Sequence, residues 1–163
     1  MTTKSSYSGT RMSAEASLFD TAYAAGVTKQ YYELCGRFPL EPSASYKKVP
    51  FKAVLTAASG QIELSKLPGT GTVFQSEEMP DGVSLNFIVQ SGGTVETDFC
   101  ISVGNKVVRS TFAIFCNSCL KQQNLPLPKP AYPRPVCSSA EDLVVAFKSL
   151  RKLVLLISEQ SRE

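Results

Sequence analysis

The sequence contains no histidine and no tryptophan, and only five cysteines among its 163 residues. Without histidine, the commonest general base and the commonest metal ligand are both missing. No serine or cysteine nucleophile then has an evident base beside it. Gly69-Thr70-Gly71 lacks the third glycine and the lysine of a phosphate loop. Cys116-Asn117-Ser118-Cys119 is a lone C-x-x-C, so a zinc site would have to recruit Cys35, Cys100, Cys137 or carboxylates to reach four ligands. No metal site is expected. The motif falls at the end of a predicted strand rather than at the opening of a helix, where a dipole would lower a thiol pKa, so a redox pair is not expected either. Cys100 and Cys116 read as small apolar groups packed within strands. No cofactor is predicted, although covalent attachment of a chromophore to an exposed cysteine stays open. The chain reads as a protein that is not an enzyme.

Long apolar runs are missing too. None approaches the roughly 20 residues needed to span a bilayer. The first dozen residues are polar and do not resemble a secretory signal peptide, which leaves a transit peptide already removed as an open alternative. An intracellular compartment, cytoplasmic or organellar, is therefore expected, with the cysteines mostly reduced. Net charge is only +3, but it is unevenly spread. Residues 1–52 carry seven Lys/Arg against four acids and residues 105–163 carry nine against four, whereas residues 53–104 hold one lysine and six acids. Basic ends around an acidic centre suit contacts with acidic partners or with copies of the chain itself, beside the plain reading as solvated surface charge.

What is present is a clean alternation between Thr72 and Cys116. Val95, Thr97, Phe99, Ile101 and Val103 fall on one face of a strand, and Glu96, Asp98, Cys100 and Ser102 on the other. Gly104-Asn105 suits a two-residue primed turn into a further strand, Lys106 to Cys116. Closing it sets Ile101 against Val108, Phe99 against Ser110 and Val95 against Ile114, with Asp98 near Arg109 on the wet face. A slip of one residue would bring Phe112 and Ile114 against Glu96 and Asp98, so the register is well specified. A three-residue loop, Ser91-Gly92-Gly93, pairs the preceding strand so that Val89 meets Val95, Phe87 meets Thr97 and Leu85 meets Phe99. Thr72 to Ser76 leads in through Met79-Pro80-Asp81-Gly82, a strong turn signal.

Around this meander the chain divides as follows. Residues 1–12 form a polar, flexible arm carrying Lys4 and Arg11. Residues 13–36 are helical, with Ser13 as N-cap, an interruption at Gly26, and a second segment from Thr28 to Cys35. Tyr23, Tyr31 and Tyr32 there make an aromatic patch that reads as core packing before it reads as a binding platform. Residues 37–50 are an extended connector holding Arg37, Lys47 and Lys48. Residues 51–163 make the α+β domain. Its first run, Phe51 to Ala58, suits either a strand or a helix and is read as a strand, paired with Gln61 to Leu67. A proline-rich connector, residues 125–135, favours polyproline II and interleaves Tyr132 and Arg134. The last helix, residues 138–160, opens on a Ser138-Ser139-Ala140-Glu141 capping box. Leu143, Phe147, Leu150, Val154 and Ile157 line one face of it. Its stretch from Leu153 to Ile157 is apolar all round, which calls for a second contact with the N-terminal helices or another subunit. The expected fold class is thus α+β: an antiparallel meander covered on one face by a C-terminal helix, with N-terminal helices and extended arms.

Tyr32-Glu33-Leu34, then Gly36-Arg37 and Pro39-Leu40, resembles the "E-L … G-R-x-P" segment of phycobilisome rod-linker proteins over about a dozen residues. The resemblance implies a non-enzymatic subunit of a light-harvesting antenna, threading between phycobiliprotein rings, with basic arms on acidic partners. It places the protein in the plastid stroma, and in some relatives cysteines carry bilins. The family's main linker domain is all-helical, and the sheet pattern at the centre of this chain departs from that. The function expected from the residues is accordingly structural, an assembly or linker subunit. Lys4, Arg11, Tyr31, Tyr32, Arg37, Lys47, Lys48, Tyr132 and Arg134 are the candidate partner contacts. The alternative is a nucleic-acid-binding module using the wet sheet face and the basic termini. Against it stand Glu96 and Asp98 on that face, so nucleic acid is the lesser expectation.

Overall fold

A computed structural model describes residues 17–41 and 48–162. The expected arm with Lys4 and Arg11, the Ser13 cap, and Lys47 lie outside the described residues. The described residues begin with helix α1 (residues 17–24) and α2 (Val27–Arg37), separated by Gly26 at a φ of 89°. Next come α3 (Phe51–Ala58), β1 (Leu64–Lys66), β2 (Thr72–Ser76) and β3 (Val83–Val89). A short 3₁₀ turn, Ser91–Gly93, leads to β4 (Val95–Val103) and β5 (Lys106–Ser110). Two helices finish the fold, α4 (Phe112–Gln122) and α5 (Ala140–Ser161). The strands form one antiparallel sheet in the order β1-β2-β3-β4-β5. The α+β class is therefore the observed one, with α5 packed on the sheet.

The central register follows the alternation. Leu85 pairs with Phe99, Phe87 with Thr97 and Val89 with Val95. Phe99 pairs with Ser110 and Ile101 with Val108 across the Gly104-Asn105 turn. Inward residues Phe74, Leu85, Phe87, Phe99 and Ile101 are almost fully buried. Against them α5 lays Leu143, Phe147, Leu150, Val154 and Ile157. The Phe147 ring stacks on Phe87 at 4.2 Å and 11° and tilts against Phe74 at 5.7 Å. Each such ring removes enough apolar area from water to contribute up to ~3 kcal/mol. The excess apolar surface of α5 is met by α2 and α3, which pack on it from the other side. Leu18, Ala22, Val27 and Leu34 of the N-terminal helices thus belong to the same core as the sheet.

Four local expectations are corrected. Phe51 to Ala58 is a helix, not a strand: Pro50 sets its start, and Val54 and Ala58, four residues apart, are the buried pair facing α5. Gln61 to Leu67 supplies only the three residues of β1, and these pair with β2. The capping serine of α5 is Ser139, whose hydroxyl accepts the Asp142 N–H at 3.1 Å, one residue later than the Ser138 box.

The fourth correction is the largest. The strand predicted to run to Cys116 stops at Ser110, and the chain turns into α4. Thr111 caps that helix by accepting the Ile114 N–H at 3.3 Å, while the buried Thr97 hydroxyl accepts the Phe112 N–H at 3.1 Å. Two of the helix's orphan donors are thereby satisfied. Phe112, Phe115, Cys116 and Cys119 then face inward at helical spacing, and Ile114, which a strand would bury, is 54% exposed. Cys116 therefore packs from a helix, and the C-x-x-C lies in its middle rather than after a strand.

Candidate docking site

The edge of β4 that α4 leaves vacant is taken by the proline-rich connector between α4 and α5. Val95 N–H donates to Pro135 O (2.9 Å), Cys137 N–H to Gly93 O (2.8 Å), and Val136 N–H to Phe38 O (2.8 Å). Val136 forms an isolated antiparallel bridge with Thr94. Gly93, at a φ of 86°, is required by this approach, since a Cβ there would collide with the Cys137 carbonyl oxygen. Slightly upstream, the Tyr31 hydroxyl donates to Pro133 O at 2.8 Å, and Arg134 Nε lies 3.2 Å from the Glu96 carboxylate. Prolines suit this edge because they need no ladder donor.

The other end of the connector is tied as well. Asn124, at a φ of 57°, closes α4, its N–H donating to Lys121 O at 3.0 Å, and Leu125 N–H donates to Leu120 O at 2.9 Å. Between these two anchors, residues 124–132 stand out from the body, and all except Pro128 are exposed. Leu125 is 39% exposed, Leu127 36% and Tyr132 42%. Three large apolar side chains thus stand exposed on a segment tied at both ends; with Lys129–Pro130 cis and Tyr132 at a φ of 54°, the connector is not the continuous polyproline II helix expected.

The candidate residues divide sharply around this element. Tyr31 is not a surface contact: it is 1% exposed, stacked on Phe112 at 5.4 Å, and it serves as the clamp on Pro133. Burial pushes its hydroxyl well above the usual tyrosine value. Tyr32 is half-buried and donates to Asn117 Oδ1 at 2.9 Å, and burial raises its pKa also. The Asn117 Nδ2 is buried without a partner. Arg134 belongs to the anchor, whereas Tyr132 belongs to the exposed loop. Arg37 ends α2 with its guanidinium 5.5 Å from the Phe38 ring, and Lys48 lines a separate cavity beside α3. Sequence reasoning marked the prolines but missed Leu125 and Leu127, whose alternation with them was the available signal.

Cys35, Cys116, Cys119 and Cys137 are buried and reduced, and Cys100 is half-buried on the outer sheet face. Burial pushes Cys35, Cys119 and Cys137 up to about 12 and Cys116 well above its ordinary value, so at neutral pH they are thiols rather than thiolates. Among the described residues, no group of three or more His, Cys, Asp or Glu is arranged to hold a metal ion, and no helix is long and apolar enough to cross a membrane. Burial also raises the Glu96 carboxyl, opposed by the Thr97 N–H and by Arg134. The outer sheet face carries this group together with Asp98, which Arg109 engages through two hydrogen bonds of 2.9 and 3.2 Å. No protein-family model matches the chain, and neither does any curated protein or solved structure with which it was compared.

Proposed function

We propose that this chain is a non-enzymatic assembly subunit that docks onto another protein through the proline-rich loop of residues 124–132. One observation carries the reading: Leu125, Leu127 and Tyr132 are exposed together on a segment whose two ends are fastened to the body. A partner suited to it has an aromatic-lined groove that receives Leu-Pro dipeptides, and acidic side chains for Lys129. The buried, protonated thiols support a role that does not rest on nucleophilic chemistry. Nucleic acid is the weaker reading, because the outer sheet face presents Glu96 and Asp98.

The antenna-linker form of this proposal, with its plastid compartment, rests on the resemblance of Tyr32 to Leu40. Leu34 there is buried and Tyr32 holds Asn117, so part of that stretch serves the fold of this chain.

The test is co-purification from the native source of the unaltered protein and of a Leu125→Ser/Leu127→Ser/Tyr132→Ser variant, with a synthetic peptide of residues 122–134 as competitor. Anchor side chains of this kind contribute above ~1 kcal/mol each, so the triple variant should weaken capture by roughly 100-fold or more. The free peptide should compete. Retention of the same partner by the triple variant would refute the loop as the docking element. Salt-sensitive binding to random oligonucleotides, with no protein retained, would favour the nucleic-acid reading instead.

A further inference from the structure

Two cavities lie beside the β1–β2 hairpin, and they differ in charge. The larger, of about 630 Å³, sits between the hairpin and α5, where Glu63, Glu77 and Glu78 face Lys148, Arg151 and Lys152. Its charges balance. The second, of about 500 Å³, lies between the Gly69–Gly71 turn and the start of α3, with Lys48 and Lys66 in its lining and, among the described residues, no carboxylate. Among the described residues, neither of these lysines makes a salt bridge.

Lys66 is held in position. Its Nζ donates to Leu67 O at 3.1 Å and sits 5.2 Å from the centre of the Phe51 ring. An ammonium carries three donors, and the bond to Leu67 O uses one. Gly69 and Gly71 carry no side chain into the opening, and nothing described lies within 4 Å of where a Cβ would stand on either. The Thr72 hydroxyl and the 38%-exposed Phe51 ring complete the lining.

We propose that this cavity binds a small phosphate ester, the phosphate between Lys48 and Lys66 and its organic group against Phe51 and Pro50. Two lysines lining one opening suit a phosphate dianion better than a singly charged carboxylate. Inorganic phosphate would leave most of 500 Å³ empty, and that volume lies in the range of small-molecule sites. The ring of Phe51, already aligned by Lys66, supplies the apolar wall for the remainder. This site is independent of the docking loop, and either assignment stands or falls without the other.

Calorimetric titration of the whole chain with phenyl phosphate, inorganic phosphate and phenol tests it. Phenyl phosphate should bind saturably and about 10-fold or more tightly than inorganic phosphate, and phenol should not bind. Lys66→Gln and Lys48→Gln should each weaken phenyl phosphate by about 10-fold, whereas Lys148→Gln in the balanced cavity should leave it unchanged. Circular dichroism of each variant separates loss of the site from loss of the fold. Absence of saturable phenyl phosphate binding by the folded, unaltered protein would overturn the assignment. So would binding that survives Lys66→Gln, or that Lys148→Gln weakens equally.

Discussion

Replacing Tyr31 with phenylalanine tests how the proline-rich loop is held. The change keeps the ring that stacks on Phe112 at 5.4 Å and removes only the hydroxyl that donates to Pro133 O at 2.8 Å. Because the ring is 1% exposed, water cannot easily replace the lost donor, and the Pro133 carbonyl is left without that bond. Losing one partner of a hydrogen bond costs about 1–3 kcal/mol where it is shielded from water, and this one is partly buried; that is a sizeable part of the ~5–15 kcal/mol that holds a domain of this kind. With a urea m-value near 2 kcal/mol per molar, the unfolding midpoint should fall by roughly 1 M at the centre of that range, with the slope unchanged. The backbone bonds at Val95, Val136 and Cys137 remain, so the connector should loosen at residues 132–134 without leaving the sheet. Hydrogen exchange should accordingly quicken at Val136, whose N–H donates to Phe38 O three residues beyond the lost bond, and less at Cys137. A midpoint that does not move, with Val136 exchange unchanged, would refute the clamp. So would a loss beyond about 4 kcal/mol, which the hydroxyl alone cannot supply.

Two further outcomes are expected. A thiol reagent at neutral pH should modify the half-buried Cys100 first and spare Cys35, Cys116, Cys119 and Cys137 until the protein is denatured, as read by mass spectrometry; rapid labelling of Cys116 or Cys119 in the native state would contradict their placement. Burial raises the folded-state pKa of Glu96, so the native state binds its proton more readily than the unfolded chain. Its contribution to stability is therefore greatest below the ordinary glutamate value and declines as pH rises through the window up to its own raised value. Glu96→Gln should remove that decline, and Arg134→Ala should push the carboxyl higher still; a carboxyl titration by NMR that finds Glu96 at or below the ordinary value would refute this.

The meander was legible because its alternation and its turns agree. Gly104-Asn105 and Ser91-Gly92-Gly93 admit one register each that keeps Glu96 and Asp98 off the apolar face, and that is the register observed. The stretch after Ser110 was not, because Phe112, Phe115, Cys116 and Cys119 suit a helix while Phe112 and Ile114 suit a strand. Local pattern could not choose between the two periods. The choice was made by Thr97, fifteen residues away, whose hydroxyl receives the Phe112 N–H. Phe51 to Ala58 was ambiguous for the same reason, and its fate depended on α5 being there to cover Val54 and Ala58.

The candidate contacts were harder still, since a tyrosine or an arginine has the same name whether it clamps or is offered to a partner. Tyr31 and Arg134 proved to be fastenings, Tyr132 part of the exposed loop, and Lys48 part of a cavity whose other cation, Lys66, came from a strand no pattern linked to it. The sequence by itself determined the sheet's register and the apolar face of the last helix, because both follow from side chains a few residues apart. Only the tertiary structure decided where the fifth strand ends, what occupies the vacated edge of β4, and which residues of the proline-rich connector stay exposed. Those outcomes depend on hydrogen bonds between distant segments, such as Tyr31 with Pro133 and Gly93 with Cys137, which periodicity along the chain does not encode.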